Sequence, residues 1–429
     1  MGWQSYKEKI LDLSKKIVEA QRPIRILNSI QIPSEIGEEF RRSKFKEIPK
    51  LTPEIYHKIP IGLDPQSKRK EFQSLRDLIS QQLGESDDLT DLLQSIVDEY
   101  LLVIDLLESR GTPRFNEISQ KLYGSPFDPI HSDKNSIFQM SKLLYSILGG
   151  IKNTLAIPNS EKTLTAAELV EKLNHGLGQY FHSDQVCVEI SDGILSDAAA
   201  GGDKIRIRAD RKFSIRDLKV LEVHEGWVHV GTTLNGRKQK VAQWLSVGSP
   251  RVTSTQEGLA VLMEIFSFRT SVARAQRIND RIMAIAKAHE GANLLEVFEF
   301  FRTEGYEESE CISNSFRVFR GSYFEGKPFT KDISYCKGFV ENYNFLRAAI
   351  RANKPDLIPL LFVGKIYVDD IPLLYRLQQE GVIDPPKYLP REFSDINGIA
   401  VWMSFSSFFN KVDLKKVQHH YNQLFTKFT

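Results

Sequence analysis

The sequence predicts an α+β fold that is predominantly α-helical and contains a small sheet near the middle of the chain. Apolar residues follow the helical period over most of the N-terminal and C-terminal parts. Two short segments rich in β-branched residues, 186–190 and 204–209, predict strands. Because 429 residues exceed what one hydrophobic core accommodates, we predict a helical N-terminal region over 1–180, a core over 181–340 and a helical C-terminal region over 341–429 packed on that core.

The composition favours a soluble, cytoplasmic protein. Lys and Arg number 57 and Asp and Glu 55, and the net charge of +2 creates no field that would attract nucleic acid or an acidic membrane. No apolar run approaches the ~20 residues needed to cross a bilayer. Cys187, Cys311 and Cys336 are far apart and odd in number, so they predict neither a disulfide framework nor a CxxC metal site. We therefore expect no nucleic-acid partner and no membrane.

The helices of the N-terminal region are predicted from their apolar periodicity. The strongest segments are 6–20, 72–83 and 89–107. A capping box formed by Thr165 and Glu168 predicts a further helix that ends near residue 175. After the two strands, which are separated by predicted turns over 191–203, the chain is again helical to about residue 302. The segment 304–337 predicts irregular structure.

The motif with the clearest chemical meaning is His224-Glu225-x-x-x-His229, on a helix that Ser214 caps. With roughly 3.6 residues per turn, the two histidines of a regular helix stand about 140° apart and cannot share one metal ion. An i to i+5 π-turn would bring them to one face, and such turns concentrate at functional sites. Gly226 is compatible with that distortion. A metal site therefore predicts a bulged helix here.

A catalytic zinc ion usually has a third protein ligand and one open position. Glu257, at the start of a second apolar helix, is the best candidate. Two histidines from one helix and a glutamate from the next form the gluzincin arrangement, so we predict a zincin-like core with Zn²⁺ bound by His224, His229 and Glu257. Glu225, beside the first histidine, is then predicted to be the general base that takes a proton from water.

Simpler interpretations of the same residues stay open. A His-Glu pair with a second histidine five residues later also occurs by chance in helical proteins. Glu257 can instead complete a capping box with Ser254. The chain could then be a helical scaffold without a metal.

Several blocks in the second half of the chain resemble one known family. The blocks are His224-Glu225-x-x-x-His229, Asn235 with Gln239, Gln256-Glu257-Gly258-Leu259-Ala260, Arg317-Val318-x-Arg320-Gly321 and Phe329-Thr330-Lys331-Asp332-x-x-Tyr335-x-x-Gly338. In order and spacing they resemble the QEGLA-motif family, whose bacterial members are often labelled flavohaemoglobin expression-modulating proteins. They are similar also to the eukaryotic microtubule-associated tyrosine carboxypeptidases.

The resemblance implies a zinc peptidase with His224, His229 and Glu257 as ligands and Glu225 as base. We therefore predict a metallopeptidase of the carboxypeptidase type that removes a C-terminal residue from a peptide or protein. The alternative is a regulatory or binding protein in which the zinc site is structural. The presence of Glu225, which catalysis needs and zinc binding does not, favours the enzyme.

Four further residues are predicted to act on the substrate. Tyr335 is the candidate donor to a developing oxyanion, although a core tyrosine would look the same in the sequence. Arg317, Arg320 and Lys331 are candidates for binding the C-terminal carboxylate, although each alone is more often a solvated or ion-paired charge. The strand 204–209 is expected at a sheet edge, where it could pair with an extended peptide.

Overall fold

The computed structural model of the chain describes residues 2–131, 133–151, 161–181, 186–192, 194, 196–202 and 204–427. The α-helices in this part of the chain are α1 Trp3–Gln21, α2 Ile26–Ser29, α3 Ser34–Arg42, α4 Pro53–His57, α5 Pro65–Leu83, α6 Asp88–Glu108, α7 Pro113–Tyr123, α8 Ile137–Ile151, α9 Ala166–Phe181, α10 Ile215–Leu221, α11 Gly231–Arg237, α12 Val252–Phe266, α13 Val272–His289, α14 Leu294–Thr303, α15 Glu308–Phe319, α16 Ser334–Arg351, α17 Ile371–Gln379, α18 Arg391–Ser394, α19 Ile396–Phe409 and α20 Leu414–Phe425. A π-helix spans Glu222–Val230, and 3₁₀ turns span Gln243–Ser246, Thr330–Ile333, Pro355–Phe362 and Val368–Asp370. The strands are β1 Cys187–Ser191, β2 Ala198–Gly201 and β3 Lys204–Arg208.

The three N-terminal helices predicted from apolar periodicity are confirmed as α1, α5 and α6. Helix α5 begins seven residues before the predicted segment because its first turns are polar and carry no apolar signal. Asp64 caps this helix by accepting a hydrogen bond from the Ser67 N–H (2.7 Å), and Pro65 occupies the first helical position. Helix α9 opens at the predicted capping box but continues past residue 175, because Leu177 and Phe181 extend its buried face.

The sheet confirms the α+β class and corrects two expectations. Strand β3 lies between β1, with which it pairs in parallel, and β2, with which it pairs antiparallel. The segment 204–209 is therefore a central strand and not an edge. Strand β2 was not predicted from the sequence, because its Ala-Ala-Ala-Gly composition carries no β-propensity. The arginines on the exposed face of β3 are paired, with Arg206 Nε 3.3 Å from Glu189 and Arg208 Nε 2.6 Å from Asp210.

The segment 304–337 is also more regular than predicted. Helix α15 occupies a third of it, and a 3₁₀ turn leads into α16 near its end. The helical period of α15 could not be recognised from apolar residues alone, because its buried face includes Cys311, Asn314 and Ser315.

One hydrophobic cluster joins residues from all three predicted regions. It includes Ile10 of α1, Leu259 of α12 and Ile358 near the C-terminal end. Helix α16 runs without a break across residue 340, and α12 packs along it. The division into three regions stays a prediction. Within the described residues, no helix combines the length and the apolar content that crossing a membrane requires.

Candidate functional site

The predicted distortion of the histidine helix is confirmed. Helix α10 is capped by Ser214, whose hydroxyl accepts a hydrogen bond from the Asp217 N–H (3.0 Å). The chain then passes into the π-helix, which carries both histidines, before it resumes as α11. In this geometry, residues five apart share a face. The rings of His224 and His229 accordingly lie edge to face with their centroids 4.9 Å apart.

Gly226 allows the π-helix to approach α9. A Cβ atom at this position would lie 2.4 Å from Leu177 Cδ2, well inside van der Waals contact. The glycine is therefore explained by close packing at the distorted turn, in addition to its backbone freedom.

We expect Gly226→Ala to lower the free energy of unfolding by about 1–3 kcal/mol, because the new methyl group overlaps a buried leucine. Chemical denaturation measures this change. Gly178→Ala is the matched control. Gly178 lies next to Leu177 on α9, and no atom lies within 4 Å of its Cβ position. If the overlap is its cause, Gly226→Ala should cost less in a Leu177→Ala background than in the unmodified chain, as a double-mutant cycle measures. An unchanged stability in Gly226→Ala would contradict this packing argument.

His224, His229 and Glu257 meet in one group. Their ligand atoms lie within 4.8 Å of one another. Glu257 Oε2 is 3.5 Å from Nε2 of each histidine. Ligands held ~2.1 Å from an ion in tetrahedral geometry are about 3.4 Å apart, which matches this spacing. Glu257 Oε2 is also buried without a hydrogen-bond partner, as a ligand atom reserved for a cation would be. The group could therefore hold a metal ion.

The carboxylate of Glu257 is stabilised in its ionised form. Burial alone would raise its pKa, but Lys331 and the two histidines outweigh burial and hold the pKa well below its usual range. Lys331 Nζ lies 3.1 Å from the second oxygen, Oε1. The alternative of a capping box with Ser254 is wrong, because α12 begins at Val252 and Ser254 is already inside its first turn.

A second carboxylate orients His224. Nδ1 of its ring is 2.7 Å from Glu264 Oε1, and Arg274 Nη2 donates a hydrogen bond to the same oxygen (2.6 Å). Burial opposes protonation of His224, but Glu257 and Glu264 together raise its pKa to about 9. The negative potential that favours a proton here favours a metal cation equally. Neither Glu264 nor Arg274 was predicted from the sequence.

Glu225 lies next to this group without belonging to it. Its side chain is buried, and its Oε2 accepts a hydrogen bond from the Ala200 N–H of strand β2 (2.9 Å). The unpredicted strand thus fixes one oxygen of the carboxylate. The other oxygen makes no hydrogen bond within the described chain, so it is available to a water molecule.

Tyr335 of α16 contacts the group from another side. Its ring stacks on that of His224, with centroids 6.3 Å apart and planes inclined by 23°. Burial and the charge of Glu257 raise the pKa of Tyr335, so its hydroxyl stays protonated and can donate. That hydroxyl has no hydrogen-bond partner among the residues that the structure describes.

The three basic residues predicted to bind substrate differ in their surroundings. Arg317 binds both oxygens of Asp332, with Nη2 2.9 Å from Oδ1. Lys331 is engaged by Glu257, as described above. Arg320 is buried but lies 3.8 Å from Asp332, beyond hydrogen-bond distance. Two of the three charges are therefore already neutralised within the protein.

The fold and the site define a mainly helical α+β protein with a candidate metal centre of two histidines and one glutamate. The chain belongs to the microtubule-associated tyrosine carboxypeptidase family, whose model matches residues 38–411. This membership confirms the relationship predicted from the motif blocks and indicates a carboxypeptidase-like activity. No curated protein gives a significant sequence match to the chain.

Proposed function

We propose that the protein is a zinc-dependent metallopeptidase that removes a C-terminal residue from a peptide or protein. The observation that carries this proposal is the 3.5 Å spacing of His224 Nε2 and His229 Nε2 from one buried, unpartnered oxygen of Glu257. Two imidazoles and one carboxylate form a donor set used by catalytic zinc. This donor set and the general base beside it are those of a gluzincin-type, zincin-like core.

The number of ligands favours catalysis over a structural role. Structural zinc sites are normally closed by four protein ligands, whereas catalytic sites use three and leave one position open. Among the described residues the group contains three. A regulatory protein with a structural zinc site would have no need for an unligated glutamate beside the first histidine.

Each neighbouring residue has a role in this reaction. When bound, zinc would activate water and polarise the carbonyl of the peptide bond. Glu225 would accept the proton of the attacking water at its free oxygen and deliver it to the leaving amine. The hydroxyl of Tyr335 would donate a hydrogen bond to the oxyanion. Glu264 would orient the ring of His224 through Nδ1 and fix its tautomer, as carboxylates commonly do for metal-bound histidines.

The metal assignment is tested by elemental analysis of the purified chain. We expect about one zinc per chain, and His224→Ala should lose it because the remaining two ligands do not hold the ion against dilution. His289→Ala is the matched control, since His289 ends α13 and contacts Phe127 outside the group. Zinc retained in His224→Ala, or no zinc bound by the unmodified chain after reconstitution, would contradict the assignment.

The same preparation tests the type of cleavage. A peptide mixture treated with the zinc-loaded chain and read by mass spectrometry should lose residues from the C-terminus alone. Internal cuts would make the protein an endopeptidase instead.

A further inference from the structure

Three arginines surround a single carboxylate beside the candidate metal group. Arg281 of α13, Arg317 of α15 and Arg320 lie within charge-interaction range of Asp332, which is 5% exposed. Arg317 occupies both oxygens of that carboxylate. One negative charge cannot neutralise three positive ones, so the cluster carries an excess of positive charge in a buried position.

The excess resides on Arg281 and Arg320. Arg281 makes no hydrogen bond or ion pair with any residue that the structure describes, and its Nε is buried without a partner. Arg320 is 7% exposed, and its Nε is likewise buried and unpartnered, while its Nη2 makes only a long ion pair with Asp332 at 3.8 Å. Burial and repulsion from Arg317 lower the pKa of both guanidiniums to about 10. A buried charge without a counter-ion of its own is costly, and an incoming anion would offset that cost.

The position of the cluster connects it to the metal group. Arg281 follows Arg274 by seven residues on α13, so the two lie on one helix face about 10.5 Å apart along the axis. Arg274 Nη2 lies 3.3 Å from His224 Nδ1. Asp332 directly follows Lys331, whose ammonium group contacts Glu257. An anionic group bound by the cluster would therefore lie close to a peptide bond held at the metal group.

We propose that Arg281 and Arg320 bind the C-terminal carboxylate of the peptide substrate. This inference rests on the proposed function and assigns a residue that the sequence did not indicate. Guanidinium groups bind carboxylates through paired hydrogen bonds, which suits two arginines whose Nε donors are unpartnered. Arg317 and Lys331, whose charges are engaged, act as positioning residues that hold Asp332 and Glu257.

The test compares two peptides that differ only in a free C-terminal carboxylate or a C-terminal amide. With the zinc-loaded full chain, Arg281→Met should lower kcat/KM for the free acid by about 30-fold or more, as expected for losing hydrogen bonds to a charged group. The value for the amide should fall much less, because the neutral amide keeps a carbonyl acceptor but needs no counter-charge. Arg277→Met is the matched control, because Arg277 lies one turn earlier on α13 and is paired with Asp197 and Glu310 at 3.7 and 3.5 Å.

A binding measurement separates this inference from the proposed function. Titration calorimetry with the Glu225→Gln chain and the same two peptides should show tighter binding of the free acid, and Arg281→Met in that background should reduce the difference to what Arg320 alone contributes. If this binding result is obtained but the unmodified chain cleaves neither peptide, the anion site is supported and the proposed peptidase function is overturned. An undiminished free-acid preference in Arg281→Met, or an equal loss for acid and amide, would overturn the assignment of Arg281.

Discussion

Replacing Glu225 by glutamine is expected to lower kcat for peptide cleavage by about 10²- to 10⁴-fold, the range contributed by a general base. The carboxamide cannot accept the proton of the attacking water. The fold should be retained, because the amide oxygen can still accept the hydrogen bond that the Ala200 N–H donates (2.9 Å in the present structure). Zinc should also be retained, since Glu225 lies outside the group formed by His224, His229 and Glu257.

Steady-state kinetics and elemental analysis of the same samples check this expectation. Glu222→Gln provides a matched control on the same π-helix. The Glu222 carboxylate forms an ion pair with Arg269 (2.6 Å) and is not one of the three candidate metal ligands. The control should keep full activity. Unchanged cleavage by Glu225→Gln would exclude it as the base, whereas loss of zinc would mean that the ligand set has been misassigned.

The distortion of the histidine helix could be predicted because it follows from the spacing alone. Two ligands that stand five positions apart on one helix require an i to i+5 turn if both are to reach one ion. Glu257 was predicted on different grounds, because catalytic zinc needs a third ligand and Glu257 opens the next apolar helix. The prediction of the bulge depends on local geometry, and local geometry is what a sequence pattern reports best.

The residues that were missed depend on contacts between distant elements. Glu264 follows Glu257 by seven residues on α12, so both occupy one helix face. That spacing was a usable signal for a second carboxylate on the histidine. By contrast, Arg274 and Arg281 are two of the three arginines on α13. The pattern does not distinguish Arg274, which pairs with Glu264, from Arg281, which has no partner in the part of the chain that the structure describes.

Strand β2 illustrates a different limit of sequence reasoning. Small residues at Ala198–Gly201 suit a strand that lies against the π-helix, but alanine and glycine are both depleted in strands in general. Its role as the donor to Glu225 appears only when the strand is placed beside the helix. The central position of β3 likewise follows from the pairing of β2, which the alternation of Ile205 and Ile207 could not reveal.

The glycine that follows Glu257 has a packing role with a large expected effect. Helices α12 and α16 cross with their backbones in direct contact at Gly258 and Gly338. A Cβ atom at Gly338 would lie 1.6 Å from the Ser254 carbonyl oxygen, and one at Gly258 would lie 1.9 Å from the Gly338 carbonyl carbon. Asn342 Nδ2 also donates a hydrogen bond to the Thr255 carbonyl across this crossing (3.0 Å). These overlaps involve backbone atoms, which cannot rotate away.

We expect Gly338→Ala to lower the free energy of unfolding by about 3 kcal/mol or more. Alanine favours a helix over glycine by about 1 kcal/mol, so an isolated helix would gain stability from the same change. A lower free energy of unfolding in Gly338→Ala would therefore support the close crossing, whereas a higher one would contradict it. Gly178→Ala, with an open Cβ position in α9, should be neutral or stabilising in the same denaturation experiment.

The same substitution should also impair the site. Separating the two helices moves Glu257, which precedes Gly258 on α12, relative to Tyr335, which lies three residues before Gly338 on α16. Any Gly338→Ala chain that still folds should therefore bind zinc more weakly than the Gly178→Ala control, as measured by competition with a chelator. Wild-type stability together with wild-type zinc affinity would contradict the direct backbone contact, and with it the explanation of this glycine.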